Sequence, residues 1–250
     1  MIGCPFKCIY CDQYKITQTS ELDWEKIINN VKKFTIKHKN KYKEIAFFGG
    51  SFTNLSQSTM QSYFDNLTPH IDEQTYFRIS TRPDAIDENI LLFLKKNRVN
   101  TVELGVQSFS DIELSSSNRG YSGQTAITSC QNILEYEFAL SIQLIIGLPN
   151  ANDSTYSYTI EMLKKIKPNY VRLYPLLVLK DTELADIFLS GNYLPLTLNE
   201  AIKLCKLFLN SCEKENIKVI KVGLHSDIPR SDILAGPYHE RFRELLYTQN

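Results

Sequence analysis

Residues 101–108 read TVELGVQS. Val102, Leu104 and Val106 alternate with Glu103, Gly105 and Gln107, the two-residue period of a strand whose successive side chains point to opposite faces. One face is apolar; the other carries a carboxylate, a glycine and an amide. A strand in a helix-covered sheet must be apolar toward its helices, so Glu103, Gly105 and Gln107 point inward. The same test places Arg78, Ser80 and Arg82 inward, opposite Phe77 and Ile79. It places Gln143 inward between Ile142 and Leu144, and Arg172 inward between Val171 and Leu173. A barrel interior used only for packing is dominated by branched apolar side chains. Charged or amide groups buried there without partners would cost on the order of 2–7 kcal/mol each. The pattern implies a lumen that holds water or a polar ligand; a purely structural ion-pair network is the alternative.

Outward from this strand, short apolar runs alternate with helical periods. Strands are expected at 44–48, 76–80, 140–146, 170–176 and 217–223. Helices are expected at 57–67, 86–96, 124–137, 154–166, 181–189 and 199–215. A further helix over 22–37 carries Trp24, Ile27, Ile28, Val31 and Phe34 on one face, with Ser20 and Asp23 at capping-box spacing. Repeated βα units predict an α/β fold with a parallel sheet: a (β/α) barrel, partial or closed, with a doubly wound sheet as the alternative. No Pro-, Gly- or Ser-rich linker divides the chain. One core domain is expected over 1–225, with a less regular tail, 226–250, packing on it.

The chain has 250 residues, 43% of them hydrophobic, enough to build a sizeable core and to exclude disorder as its main state. Lys plus Arg and Asp plus Glu both number 28, so bulk positive charge offers no argument for nucleic acid. No run of about 18–20 apolar residues and no apolar leader are present, so no membrane span is expected and the cytoplasm is the expected compartment.

Six cysteines do not form a disulfide framework. Cys130, Cys205 and Cys212 fall in expected helices and read as small buried hydrophobes. Cys4, Cys8 and Cys11 form C-x3-C-x2-C, and three thiols so close in sequence can converge on a soft metal centre. A structural zinc normally takes four protein ligands. Asp12 is awkwardly adjacent and His38 remote, so a [4Fe–4S] cluster on three cysteines, with one iron left for a small molecule, is the better reading. Tyr10 would set an aromatic ring beside that open position.

The C-x3-C-x2-C loop with an aromatic residue before its last cysteine resembles the radical S-adenosylmethionine (SAM) superfamily. Gly49-Gly50-Ser51 stands where that superfamily carries its glycine-rich methionine-binding motif. Ser80-Thr81-Arg82-Pro83-Asp84, Glu103 to Ser108 and Arg119-Gly120 resemble the radical domain of the Elongator catalytic subunit and its bacterial relatives. Gly105 to Phe109 also resembles the oxygen-independent coproporphyrinogen oxidase group. The resemblance covers residues 3 to about 223. It implies a barrel of radical SAM type, partial or closed; only Met1, Ile2 and Gly3 stand ahead of Cys4, so either its first strand is missing or the sequence as given starts inside the full one.

By that resemblance, Cys4, Cys8 and Cys11 would each ligate one iron of a [4Fe–4S] cluster, and the fourth iron would take the amino and carboxylate groups of SAM. Tyr10, Gly49, Gly50 and Ser51 would border the cofactor. Glu103 and Gln107 would meet the ribose or the substrate. Arg82, Arg172 and Gln143 would meet the methionine carboxylate or the substrate. Ile145, Gly147 and Leu148 would pack the adenine. Glu103, Gln107 and Arg172 are the expected catalytic set. The implied reaction is reductive cleavage of SAM to a 5′-deoxyadenosyl radical that removes hydrogen from a substrate. The implied electron donor is a flavodoxin or ferredoxin.

RNA is one expected substrate, a small metabolite or tetrapyrrole another. A cluster-binding protein without turnover is a third possibility of a different class. Lys32, Lys33, Lys37, Lys39, Lys41 and Lys43, with His38, form an acid-free strip that could hold phosphates; a solvated helix end is the simpler reading. In the tail, His225 and Asp227 lie with His239, Arg230 and Asp232; a local polar cap accounts for them, and contact of His225 or Asp227 with substrate is the alternative. Gly236-Pro237-Tyr238-His239 reads as a turn.

Overall fold

The computed structural model describes residues 4, 7–12, 22–223 and 228–248. Six strands form one parallel sheet: β1 (Lys43–Phe47), β2 (Thr75–Thr81), β3 (Val99–Gln107), β4 (Ala139–Ile146), β5 (Tyr170–Pro175) and β7 (Lys218–Val222). They lie in the order β1-β2-β3-β4-β5-β7. A short antiparallel ribbon, β6 (Val178–Leu179) with β8 (Ile233–Ala235), stands apart from it. The helices are α1 (Trp24–Lys37), α2 (Gln57–Leu67), α3 (Glu88–Lys96), α4 (Asp111–Ser116), α5 (Gly123–Glu135), α6 (Asp153–Ile166), α7 (Glu183–Leu189), α8 (Leu198–Lys214) and α9 (Phe242–Thr248).

The outward faces of the strands form the core. Phe77, Ile79, Val102, Leu104, Val106, Leu140, Ile142, Leu144, Val171 and Leu173 are fully buried. They pack with Ala126, Cys130 and Ile133 of α5, Ile160 and Leu163 of α6, and Cys205, Phe208 and Cys212 of α8. Burial pushes the Cys205 and Cys212 thiols up to about 12, so these cysteines are hydrophobic packing without a nucleophilic thiolate at neutral pH.

The sheet is strongly curled. The Arg172 guanidinium on β5 lies 5.3 Å from the ring centroid of Phe48, the residue after β1. Four strand spacings of about 4.8 Å would separate β1 from β5 by about 19 Å in a flat sheet. Likewise Arg78 on β2 lies over the Tyr170 ring on β5, at 5.5 Å. The architecture is a partial barrel: among the described residues no strand joins β1 to β7, and the sheet is not doubly wound.

Local rules explain most of the boundaries. Asp23 caps α1, accepting a hydrogen bond from the Lys26 N–H, and the helix begins at Trp24; Ser20, the other residue of the expected capping box, lies outside the described residues. Residues 86 and 87, expected to be helical, precede α3, which Asp87 caps. Helix α4 and the β6–β8 ribbon were not anticipated, because elements of two to six residues show no complete hydrophobic period.

Candidate functional site

A parallel sheet brings all its strand C-termini to one end, and the cysteine loop sits there. Cys11 N–H bonds the Cys8 carbonyl at 3.0 Å, closing a tight turn. The loop is held by segments remote in sequence. Ile9 N–H donates to the Ser117 carbonyl (3.4 Å), Asn118 Nδ2 donates to the Lys7 carbonyl (3.0 Å), and Leu184 N–H at the start of α7 donates to the Ile9 carbonyl (2.8 Å). Cys8, Ile9 and Tyr10 are buried among Ile145, Leu148, Tyr174 and Leu176. The described part of the loop is thus seated from both the α4 and the α7 sides.

Two guanidiniums converge on this loop. Arg119, between α4 and α5, places Nη1 3.0 Å from Cys8 Sγ and 3.4 Å from the Tyr10 hydroxyl. Arg82, after β2, places Nη1 4.0 Å from the same sulfur. Arg82 is paired with Asp84 at 2.9 Å and donates to the Arg119 carbonyl. Arg119 is 6% exposed, and among the described residues it has no carboxylate partner. Its other donors go to the Gly105 carbonyl (2.5 Å) and the Tyr121 hydroxyl (3.0 Å). Burial raises the Cys4 thiol pKa, while Arg82, Arg119 and a hydrogen bond from the Ser51 backbone lower it. Burial also pushes the Tyr10 hydroxyl well above its ordinary value.

No three His, Cys, Asp or Glu side chains among the described residues converge closely enough to hold a single metal ion. In a [4Fe–4S] cluster each thiolate would take its own iron. Three cysteine donors walled by cations fit an anionic cluster with an anionic ligand.

The glycine loop lies against Cys4. Gly49 and Gly50 have φ of 105° and 125°, a region that a side chain disfavours. Ser51 is buried, and its hydroxyl bonds the Thr81 hydroxyl at 2.9 Å. That side chain braces the β1 and β2 ends against each other, and its backbone N–H is the group facing Cys4.

Below the cysteines, the inner face carries the expected polar residues. Glu103 lies 2.8 Å from Arg172 Nε and 3.8 Å from Arg78 Nη1, and accepts from the Ser141 hydroxyl at 3.1 Å. Arg78 also pairs with Glu44 at 3.2 Å, and Arg172 Nη1 donates to the Tyr174 hydroxyl. Burial raises the Glu103 pKa against the opposing pull of Arg172 and Arg78. These four charges form one ion-pair network on the inner face. Gln143 is half-buried beside Arg172 in register. Gln107 closes β3 in a left-handed conformation, φ 66°, and its buried Oε1 has no hydrogen-bond partner. Gly105 leaves it room: a Cβ there would stand 2.9 Å from the Gln107 amide nitrogen. Ile145 and Leu148 are buried with Tyr10, and Gly147 (φ 93°) is closely covered by Leu196.

Other candidates fall elsewhere. Lys43 is buried and pairs with Asp72 at 2.8 Å, so it leaves the basic strip. The exposed lysines 37, 39 and 41 lead into the N-terminus of β1, at the opposite end of the sheet from the cysteines. His239 accepts from the Arg241 N–H just before α9, and Arg230 stacks on Tyr238 at 4.5 Å. Asp232 contributes its carbonyl to the ribbon region through Lys180 N–H. His225 and Asp227 lie outside the described residues. Arg119 enters the sequence reading only within the Arg119-Gly120 motif, without a site role, and Tyr121 does not enter it, since loop positions carry no period. The available signal was a loop arginine with no acid beside it in the motif Arg119-Gly120-Tyr121.

Comparison with known proteins agrees with this geometry. The model of the Radical SAM superfamily matches residues 1–163, and that of the Radical_SAM C-terminal domain matches residues 168–249. The tRNA uridine(34) acetyltransferase of Methanocaldococcus jannaschii is 29% identical over 175 residues, 68% of this chain and 31% of that protein. The heme chaperone HemW of Bacillus subtilis is 24% identical over 232 residues, 88% of this chain and 60% of that protein. The solved structure of archaeal Methanocaldococcus infernus Elp3 with an N-terminal deletion shares the fold, with a TM-score of 0.76 at 22% identity, covering 90% of this chain and 57% of that one. The chain therefore spans less than a third of the acetyltransferase's length.

Proposed function

The chain belongs to the radical SAM superfamily, and from that premise we propose that it is an enzyme holding a [4Fe–4S] cluster on Cys4, Cys8 and Cys11 for the reductive cleavage of SAM. The observation that carries this reading is the meeting of cysteine loop, glycine loop, Arg82 and Arg119 at the strand ends, above a polar half-barrel lumen. When bound, the cluster and SAM together supply one-electron reduction and hydrogen abstraction. The chain's own residues bind, orient and shield. Arg119 and Arg82 offset the negative charge of the thiolates and of a bound carboxylate. Glycines 49 and 50 let a ligand approach the backbone. Gln107, with its free amide oxygen, offers an acceptor to a ligand hydroxyl. Tyr10, Ile145, Leu148 and Tyr174 exclude water around the loop.

The substrate class to test first is RNA, because the Methanocaldococcus relative is named for tRNA uridine 34. The exposed lysines of the strip lie at the opposite end of the sheet from the cysteines and so offer no support for RNA binding at this site. A flavodoxin or ferredoxin is the proposed electron donor. Among the described residues, no helix is long and apolar enough to cross a membrane. A second reading, cluster binding without turnover, is favoured by the heme chaperone's coverage of 88% of this chain.

The deciding experiment is anaerobic reconstitution with iron and sulfide, reduction in the presence of SAM, and assay for 5′-deoxyadenosine. The enzyme reading expects product above the no-protein control and none from Cys8→Ala. A stable, full-occupancy cluster that yields no product, with the physiological donor supplied, would favour the binding reading.

A further inference from the structure

Arg119 and Arg82 pose a physical problem. Two like charges approach one sulfur from different segments, and one of them is buried with no carboxylate beside it among the described residues. A buried, unpaired cation is costly unless other groups hold it. Tyr121 does so for both. Its ring lies 5.1 Å from the Arg119 guanidinium carbon and 5.2 Å from that of Arg82, so one aromatic ring contacts both cations. Such contacts gain strength when desolvated. Its hydroxyl receives the Arg119 Nε–H at 3.0 Å and reaches the Gly105 and Val106 carbonyls at 2.8 and 2.9 Å, fixing the ring to the end of β3. Arg119 Nη2 reaches the same Gly105 carbonyl, so ring and guanidinium are referenced to one strand.

We propose that Tyr121 is a positioning residue that aims both guanidiniums at the cysteine loop and thereby sets the reduction potential of the cluster bound there. The inference rests on the cluster reading above. Cluster potentials respond to nearby charge, to hydrogen bonds on the sulfurs and to solvent exposure, and Tyr121 governs the first two through Arg82 and Arg119. A cation held close to the cluster favours the reduced form, which carries one more electron. Releasing the cations should therefore make reduction harder.

The test uses the reconstituted full chain, poised against redox dyes and read by visible absorbance and electron paramagnetic resonance. Tyr121→Leu removes the aromatic face and the hydroxyl. Its reduction equilibrium constant is expected to fall about tenfold, a shift of about 59 mV for one electron. Tyr121→Phe keeps the face and is expected to stay within about threefold of wild type. Iron loss to a chelator should follow the same order. If Tyr121→Leu does not fold, Tyr121→Met, unbranched and also without a π face, takes its place. A folded Leu or Met variant with the wild-type potential and iron retention would overturn the proposal. So would failure of both apolar variants to fold while Tyr121→Phe matched wild type, which would assign the ring to packing. A wild-type protein that takes up no cluster would instead remove the reading beneath it.

Discussion

Arg172 lies on the inner face of the sheet and Arg119 at the strand ends, and their charges are balanced in different ways. On the inner face, Arg172 and Arg78 share Glu103, and Arg78 also takes Glu44, so two cations meet two carboxylates. At the strand ends, Arg119 meets a cysteine sulfur, two hydroxyls and a carbonyl, with no carboxylate among the described residues. Charge balance distinguishes a self-contained network from a place prepared for an anion. The inner-face charges balance one another; the strand-end cations are left for an anionic group, such as the cluster that the cysteines would hold.

The sharpest way to break that comparison is at the cysteines. Cys8→Ala removes the sulfur on which both guanidiniums converge, and iron and sulfide content after reconstitution should drop to background. Wild-type content in that variant would contradict the site. Next in size, Glu103→Leu strips the inner-face network of its shared carboxylate. Breaking a buried pair costs about 3–5 kcal/mol, so the Tm of the cluster-free protein should fall on the order of 10 °C. Arg119→Leu should behave differently, changing that Tm by no more than about 5 °C while sharply reducing cluster retention. Equal destabilisation by the two variants would make Arg119 another structural ion and erase the distinction.

Smaller effects sharpen it. Gly105→Ala would set a methyl 2.9 Å from the Gln107 amide and 3.6 Å from Arg119 Nη2. Overpacking of this kind costs about 1–3 kcal/mol, and the displaced amide should weaken SAM binding, measured by calorimetry on the reconstituted protein. The smallest effect concerns Glu113, a 2% exposed carboxylate that accepts from the Ser108 hydroxyl just after Gln107. Burial raises its pKa above 4.5 against the pull of Ser108 and Thr155. The folded protein then keeps this proton to higher pH than the unfolded chain does. The contribution is fully present below about 4.5 and is lost as pH rises through the raised value. Glu113→Gln removes that slope, so its Tm relative to wild type should rise across this window. A pH-independent difference would place the Glu113 pKa at its ordinary value.

Much of this fold is legible in the sequence because strands and long helices carry periods. The alternation at 101–107 correctly separates Val102, Leu104 and Val106, which are buried against helices, from Glu103, which joins Arg172. The spacing of Cys4, Cys8 and Cys11 marks the loop in the sequence itself. Arg119 and Tyr121 lie in a loop, where no period exists, and their partners are 14 to 111 residues away. Lys43 reads as part of a charge strip, yet its place at the start of β1 turns it toward Asp72, 29 residues on. Non-local pairing of this kind is set by strand order and curl, neither of which a single sequence states.

The central claim is that the strand-end cysteines and their two arginines form a cluster site that engages SAM. The most direct measurement is electron paramagnetic resonance of the reduced, reconstituted protein, with and without SAM. A [4Fe–4S] signal whose shape changes when SAM is added, and which is absent from Cys8→Ala, is the expected result. A folded protein that forms no cluster, or a cluster whose signal SAM leaves unchanged, would contradict the account.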